Sequence, residues 1–165
     1  MPAQLTITGL IGVPMVQPGD DLAALTIAAF TATALSPEDG DVLVVAQKIV
    51  SKSEGRIVDV ATVTASERAI ALAAETGKDP RFVEIVLAES RRIVRHRPNL
   101  IVAEHRLGFV MANAGIDHSN VAPDDGTERV LLLPLDPDAS ALALQRRFGG
   151  VATPRATELQ AKQET

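Results

Sequence analysis

Apolar positions along the chain follow two rhythms, one near three and a half residues and one of two. Leu22, Leu25, Ala29 and Ala32 recur at helical spacing and predict a helix from Leu22 to about Ala34. Pro18-Gly19-Asp20-Asp21 precedes it as a turn whose acids can cap it. Thr64-Ala65-Ser66-Glu67 has the form of a capping box and opens a helix over Ala69 to about Glu75, closed by Thr76-Gly77-Lys78. Asp79-Pro80 supplies an N-cap with proline at the first helical position, leading into Phe82 to Ser90. A last helix is expected from Ser140 to about Arg147.

The strand candidates lie before and between these helices. Leu5 to Thr8 alternates like a strand and runs into the Gly- and Pro-punctuated segment Gly9 to Val16. Asp41 to Ala46 is β-branched and continuously apolar, which predicts a buried strand. Gln47 to Gly55 is a polar loop or new element, and Arg56 to Val60 returns to strand character. Ile93-Val94, Leu100 to Ala103 and Phe109 to Ala112 are short strand candidates, joined by polar spacers that suit hairpin turns. Val130 to Leu133 is the last. The mixture predicts an α+β fold: one mixed sheet, flanking helices and antiparallel hairpins in the second half.

Composition narrows the function classes. The chain has 165 residues, enough for one domain with a real core. Aromatics are 2% of it, so the core is aliphatic and base-stacking platforms are disfavoured. A net charge of -5 offers no broad basic surface for a nucleic-acid backbone. There is no cysteine, which excludes disulfides and thiolate chemistry. The N-terminus lacks a secretory pattern and no stretch is long and apolar enough to cross a bilayer, so a cytoplasmic protein without nucleic-acid or membrane partners is expected.

Two segments can carry chemistry. In the first, a buried strand would deliver Gln47, Lys48, Ser51, Lys52 and Glu54 at its end, where α/β proteins often place ligands. If that segment is helical, Lys48 and Lys52 share a face, and two like charges there call for an anion such as a polyphosphate. Read from spacing alone, two solvated lysines explain the pair better. No Gly-x-x-x-x-Gly-Lys-Ser/Thr pattern is present. In the second, Asn113-Ala114-Gly115-Ile116-Asp117-His118-Ser119-Asn120-Val121 follows an apolar strand. It could aim a carboxylate and amides at a hard cation and a phosphate, although its composition is also that of a tight turn. His96, His105 and His118 lack metal-ligand spacing and read as surface or turn residues. Asp136 reads as a helix N-cap.

Taken together and in order, these motifs resemble the coenzyme F-420:L-glutamate ligase (F-420-0 gamma-glutamyl ligase) family. The resemblance rests on Gly12 to Val16, Pro18 to Leu22, Gly40 to Val45, Ser51 to Arg56, Ser66 to Ala69, Glu89-Ser90, Asn113 to Asp117, Ser119 to Val121 and Leu132 to Ser140. It implies a GTP-dependent amide ligase that adds L-glutamate to the deazaflavin precursor F-420-0 through an acyl phosphate, with Mg²⁺ or Mn²⁺, as a homodimer. By motif, Val13, Pro14, Met15, Val16, Gln47, Lys48, Lys52 and Asn120 would contact GTP and Asp117 would ligate metal; no catalytic residue is implied. The family continues with an Asp-Thr metal pair and further elements, and Phe148-Gly149-Gly150 onward does not match. The expected organisation is thus a ligase-like domain over 1–147, incomplete relative to the family's fold, and a flexible tail over 148–165. The alternative is a non-catalytic remnant or subunit that folds and binds nucleotide or a partner chain.

Overall fold

The computed structural model of the chain describes residues 4–118 and 127–148. They divide into two compact units: the described parts of Met1–Glu54 and Asp136–Thr165 form one, and the described part of Gly55–Leu135 the other.

The first unit holds three helices: α1 (Leu22–Ala32), α2 (Gln47–Ser53) and α5 (Pro137–Arg147). The Asp21 side chain accepts from the Ala24 N–H at the start of α1, and Asp136 accepts from Ala139 at the start of α5. Both caps follow from the sequence. Phe30 of α1 meets Phe148 edge to face, with centroids 5.8 Å apart, and Arg147 reaches Asp21 at 3.1 Å. Ser140 donates to Glu54 at 2.6 Å, which ties α5 to the end of α2.

Asp41 to Ala46 departs from expectation. It forms no strand, and Val42 and Val44 are exposed, Val44 at 86%. Leu5 to Thr8 likewise forms no strand, with Leu5 and Ile7 more than four-fifths exposed. A strand exists only where a neighbour accepts and donates its ladder bonds, and neither segment has such a neighbour among the described residues. Local β propensity alone does not make a sheet.

The second unit carries the core. Helix α3 (Glu67–Thr76) buries Ala69, Leu72, Ala73 and Thr76, the i, i+3, i+4, i+7 stripe of an amphipathic helix. Its N-cap is Ser66, whose hydroxyl accepts from the Ala69 N–H, rather than Thr64 of the expected box. Gly77 ends the helix at φ 69°, a left-handed conformation that glycine takes without steric cost. Asp79 caps α4 (Pro80–Ala88), which buries Phe82, Val83, Ile85 and Val86.

The described strands form two antiparallel sheets rather than one mixed sheet. In one, β2 (Ser90–Arg97), β3 (Leu100–His105) and β4 (Val110–Ala112) pair in chain order. Pro98-Asn99 makes the first hairpin turn, with Asn99 at φ 65°. β3 alternates strictly, so Ile101, Ala103 and His105 face the core with the buried residues of α3 and α4. In the other, β1 (Ile57–Asp59) pairs with β5 (Arg129–Leu131), Val58 opposite Val130. Antiparallel hairpins and an α+β class are what the pattern predicts; the division into two sheets is set by packing.

Candidate functional site

In the first unit, Gln47, Lys48 and Lys52 lie on α2. The segment left open as loop or new element is therefore a helix. Its Lys48 and Lys52 stand four residues apart on one face, both half-buried. Gln47 donates to the buried Ser51 hydroxyl at 2.5 Å, which fixes the amide along the helix. The Gly19 N–H donates to the Ser53 carbonyl at 2.8 Å, so the Pro18-Gly19 turn is fastened to the end of α2. Upstream of that turn, Val13, Pro14 and Met15 are exposed and Val16 is buried. Ile11 donates to the Thr33 hydroxyl at 3.0 Å, and Gly12 lies against Ala32, where an added Cβ would meet the Ala32 methyl at 3.5 Å. Val13 to Val16 and α2 are thus held by hydrogen bonds at the two ends of one segment of the same unit.

In the second unit, β4 runs into Asn113, Ala114 and Gly115, all with positive φ (49°, 52° and 71°). Three consecutive left-handed residues, two of them not glycine, cost free energy that the surrounding packing must offset. Ala114 is fully buried. A Cβ on Gly115 would stand 2.7 Å from the Met111 sulfur and 3.2 Å from a Leu133 methyl, so any larger residue must displace those side chains at a left-handed position that already favours glycine. The Asn113 side-chain oxygen is buried and accepts no hydrogen bond from the described residues. After the turn, Asp117 exchanges backbone bonds with Leu131, donating at 3.0 Å and accepting at 2.8 Å. The tight turn read from composition is present, and it delivers Asp117 onto the free edge of β5 with its main chain fixed on both sides. Asn120 lies outside the described residues.

A carboxylate is the right donor for Mg²⁺ or Mn²⁺, but one oxygen ligand is far short of the roughly six such ions take. Among the described residues no three acidic or histidine side chains gather into a metal-binding group. The described residues therefore do not make a metal site by themselves.

The histidines divide. His96 is exposed and lies 2.8 Å from Glu75, and His118 packs against the Phe82 ring at a centroid distance of 4.6 Å. His105 is fully buried, contrary to its reading as a turn residue. It continues the Ile101, Ala103 alternation of β3, and that period-two signal was visible in the sequence.

His105 belongs to a charged knot that motif reading missed. Glu89, at the end of α4 and only 12% exposed, accepts from Arg56 Nη2 at 2.7 Å, Arg106 Nε at 3.1 Å and His105 Nε2 at 3.2 Å. The Leu107 N–H donates to His105 Nδ1 at 3.0 Å, so the imidazole is neutral with its proton on Nε2. Arg56 also donates to the Leu133 carbonyl, and Arg106 to the carbonyls of Pro134 and Leu135. Burial works against the ionised form of Glu89, but the hydrogen bonds and charges of Arg56 and Arg106 outweigh it and hold the carboxyl below its ordinary range. Burial likewise pushes His105 down, against the pull of Glu89. Arg56 and Glu89 both sit in segments that carried the family resemblance, and their work here is structural: they bind the Leu133–Leu135 strap to α4 and β3.

The family profile for F420-0:gamma-glutamyl ligase matches residues 10–153. The chain is 46% identical over 142 residues to the coenzyme F420:L-glutamate ligase of Methanothermobacter thermautotrophicus, covering 86% of this chain and 55% of that protein. It is 47% identical over 133 residues to the enzyme of that name from Methanopyrus kandleri, covering 81% and 49%. For the Archaeoglobus fulgidus enzyme the identity is 46% over 137 residues, covering 83% and 51%. The chain spans about half the length of these relatives. It belongs to the F420-0:gamma-glutamyl ligase family.

Proposed function

We propose that this chain serves a ligase that adds L-glutamate to F-420-0 with GTP as phosphoryl donor, in coenzyme F-420 biosynthesis. The observation that carries the reading is the family match over residues 10–153, which spans both candidate segments. In this reading a substrate carboxylate attacks the γ-phosphate, GDP leaves, and the resulting acyl phosphate is displaced by the glutamate amine with loss of phosphate and a proton. Such chemistry is mostly positioning and neutralisation of phosphate charge.

Lys48 and Lys52, on one face of α2, suit the second task, and Gln47 lies beside them. Val13, Pro14, Met15 and Val16 would contact the nucleotide from the segment fastened to the same helix, and Asn120 would join them. Mg²⁺ or Mn²⁺ belongs to the proposal with Asp117 as one ligand, fixed in place by its paired backbone; other ligands would come from the phosphates or from outside the described residues. A homodimer is also part of the reading, and the exposed Leu5, Ile7, Met15 and Val44 supply apolar area for it. Among the described residues no helix is long and apolar enough to cross a membrane.

The test is GTP turnover that requires F-420-0, L-glutamate and Mn²⁺ together, in wild type and in Asp117→Ala. Turnover lost in the variant supports the reading. If wild type shows no turnover and GTP with Mn²⁺ gives no thermal stabilisation, the nucleotide reading is wrong for this chain. Stabilisation without product favours the binding subunit instead.

A further inference from the structure

Strand β2 reads Ser-Arg-Arg-Ile-Val-Arg-His-Arg: five of its eight residues are basic and none is acidic, in a chain whose net charge is -5. A regular strand would scatter these side chains over both faces of the sheet. Two register shifts against β3, one between Ser90 and Arg92 and one between Ile93 and Arg95, change that: Arg92, Arg95 and Arg97 share one face, and His96 stands opposite the buried Ile101 on the other. Arg92 pairs with Glu104, Arg95 with Val102 and Arg97 with Leu100. Those three β3 residues alternate with the buried Ile101, Ala103 and His105, so they mark the outer face. Arg92 and Arg95 are three residues apart, yet the second shift puts them on one side, which is a recognised use of a β-bulge. The result is a row of three arginines at about 7 Å intervals, two strand residues each.

The row has a charge gradient. Glu104 takes up Arg92 at 2.6 Å and Arg91 at 3.8 Å. Arg95 and Arg97 are exposed and have no acidic partner among the described residues. Beside them the outer face is apolar, with Leu100, Val102, Val110 and Ala112 on β3 and β4. β2 is also the edge of its sheet. Two guanidinium forks side by side above an aliphatic floor suit a flexible ligand that carries more than one carboxylate. The lack of aromatic residues on this face gives nothing for bases to stack on.

We propose that the Arg95 and Arg97 end of this face docks a ligand bearing two or more neighbouring carboxylates, and that its occupant is the glutamyl end of the ligase product. The occupant rests on the ligation reading: glutamate joined through its amine keeps both of its carboxylates, so the product end is a dianion wherever it is held.

The experiment uses the full chain, wild type and Arg95→Ala/Arg97→Ala, with triglutamate peptide as the probe in titration calorimetry at low and at physiological salt. Both positions are exposed, so the variant keeps the wild-type Tm. Its Kd for triglutamate is expected to rise about tenfold or more, while Arg68→Ala, an exposed arginine on α3, leaves it unchanged. Wild-type binding should weaken with salt and the variant's much less. No wild-type binding, equal Kd in wild type and double variant, or a preference of tenfold or more for inorganic triphosphate or a single-stranded oligonucleotide would each overturn the proposal. GTP-dependent thermal stabilisation measured on the same proteins separates the two readings. Its absence from wild type sinks the nucleotide site and leaves the arginine site standing; loss of the triglutamate difference does the reverse.

Discussion

Replacing Glu89 by Gln is the sharpest test of the second unit's architecture. The change preserves the shape of the side chain and removes its charge. In the native protein that charge receives three hydrogen bonds, from Arg56, Arg106 and His105, at 2.7, 3.1 and 3.2 Å. With only 12% of the carboxylate side chain exposed, water does little to screen or replace them. Removing one partner of a buried ion pair costs about 3–5 kcal/mol, because the remaining charge is left without compensation. Here two guanidiniums are left. Both keep carbonyl partners at Leu133, Pro134 and Leu135, and the glutamine oxygen still accepts one bond, which places the expected loss near the lower end, about 3 kcal/mol.

Urea unfolding followed by circular dichroism measures it as a lower midpoint at unchanged slope. The comparison is Arg92→Met, which breaks a pair as short as any at Glu89, 2.6 Å to Glu104, on a side chain 67% exposed. That pair should contribute no more than about 1 kcal/mol. A double cycle with Arg56→Met should show strong coupling to Glu89. If Glu89→Gln costs as little as Arg92→Met, or couples to Arg56 by less than about 0.5 kcal/mol, the knot does not hold the strap.

Other expectations follow from the same contacts. Gly115→Ala should destabilise by about 2–3 kcal/mol, since it adds a methyl against Met111 and Leu133 at a left-handed position; a loss under about 0.5 kcal/mol would show that the turn relaxes freely. Stability should fall on acidification in two stages. His105 and Glu89 both have depressed values in the folded state, so the unfolded chain takes up protons first, from about pH 6.5 for His105 and from about pH 4.3 for Glu89, and stability is lost as pH falls through the folded values. Denaturation midpoints that rise on going from neutral to mildly acid pH would contradict this. Ser66→Ala removes the α3 cap and the hydroxyl's bond to Glu84, for about 1 kcal/mol in the same assay. Under the ligase reading Lys52→Ala should weaken GTP binding about tenfold with Tm unchanged, measured by fluorescent-nucleotide titration; unchanged binding would remove Lys52 from the site.

Helices α1, α3, α4 and α5 were legible in the sequence because their signals are local, while α2, whose N-cap Ala46 offers no side-chain bond, was left open as loop or new element. Asp21, Asp79 and Asp136 each cap the helix that follows them, since a short side chain reaches an amide two or three residues on without help from the rest of the fold. Short apolar runs likewise marked parts of β2, β3 and β4, whereas His105, read as a surface or turn residue, is the buried end of the Ile101, Ala103 alternation. The tight turn before Asp117 was readable from its residue types, though not its run of three left-handed conformations, which the packing of Ala114 and Gly115 selects.

Tertiary structure decided what depends on partners distant in sequence. Asp41 to Ala46 has every local mark of a strand, yet a strand is a property of two segments, and β propensity cannot supply the second. The knot joins residues from 56 to 135, and no motif spacing encodes a contact across 33 or 77 positions. The arginine row depends on two register shifts, each invisible until β2 meets β3. Local chemistry fixed where helices start and which faces are apolar; long-range pairing fixed which charges are buried, which are aligned, and which remain exposed to bind something else.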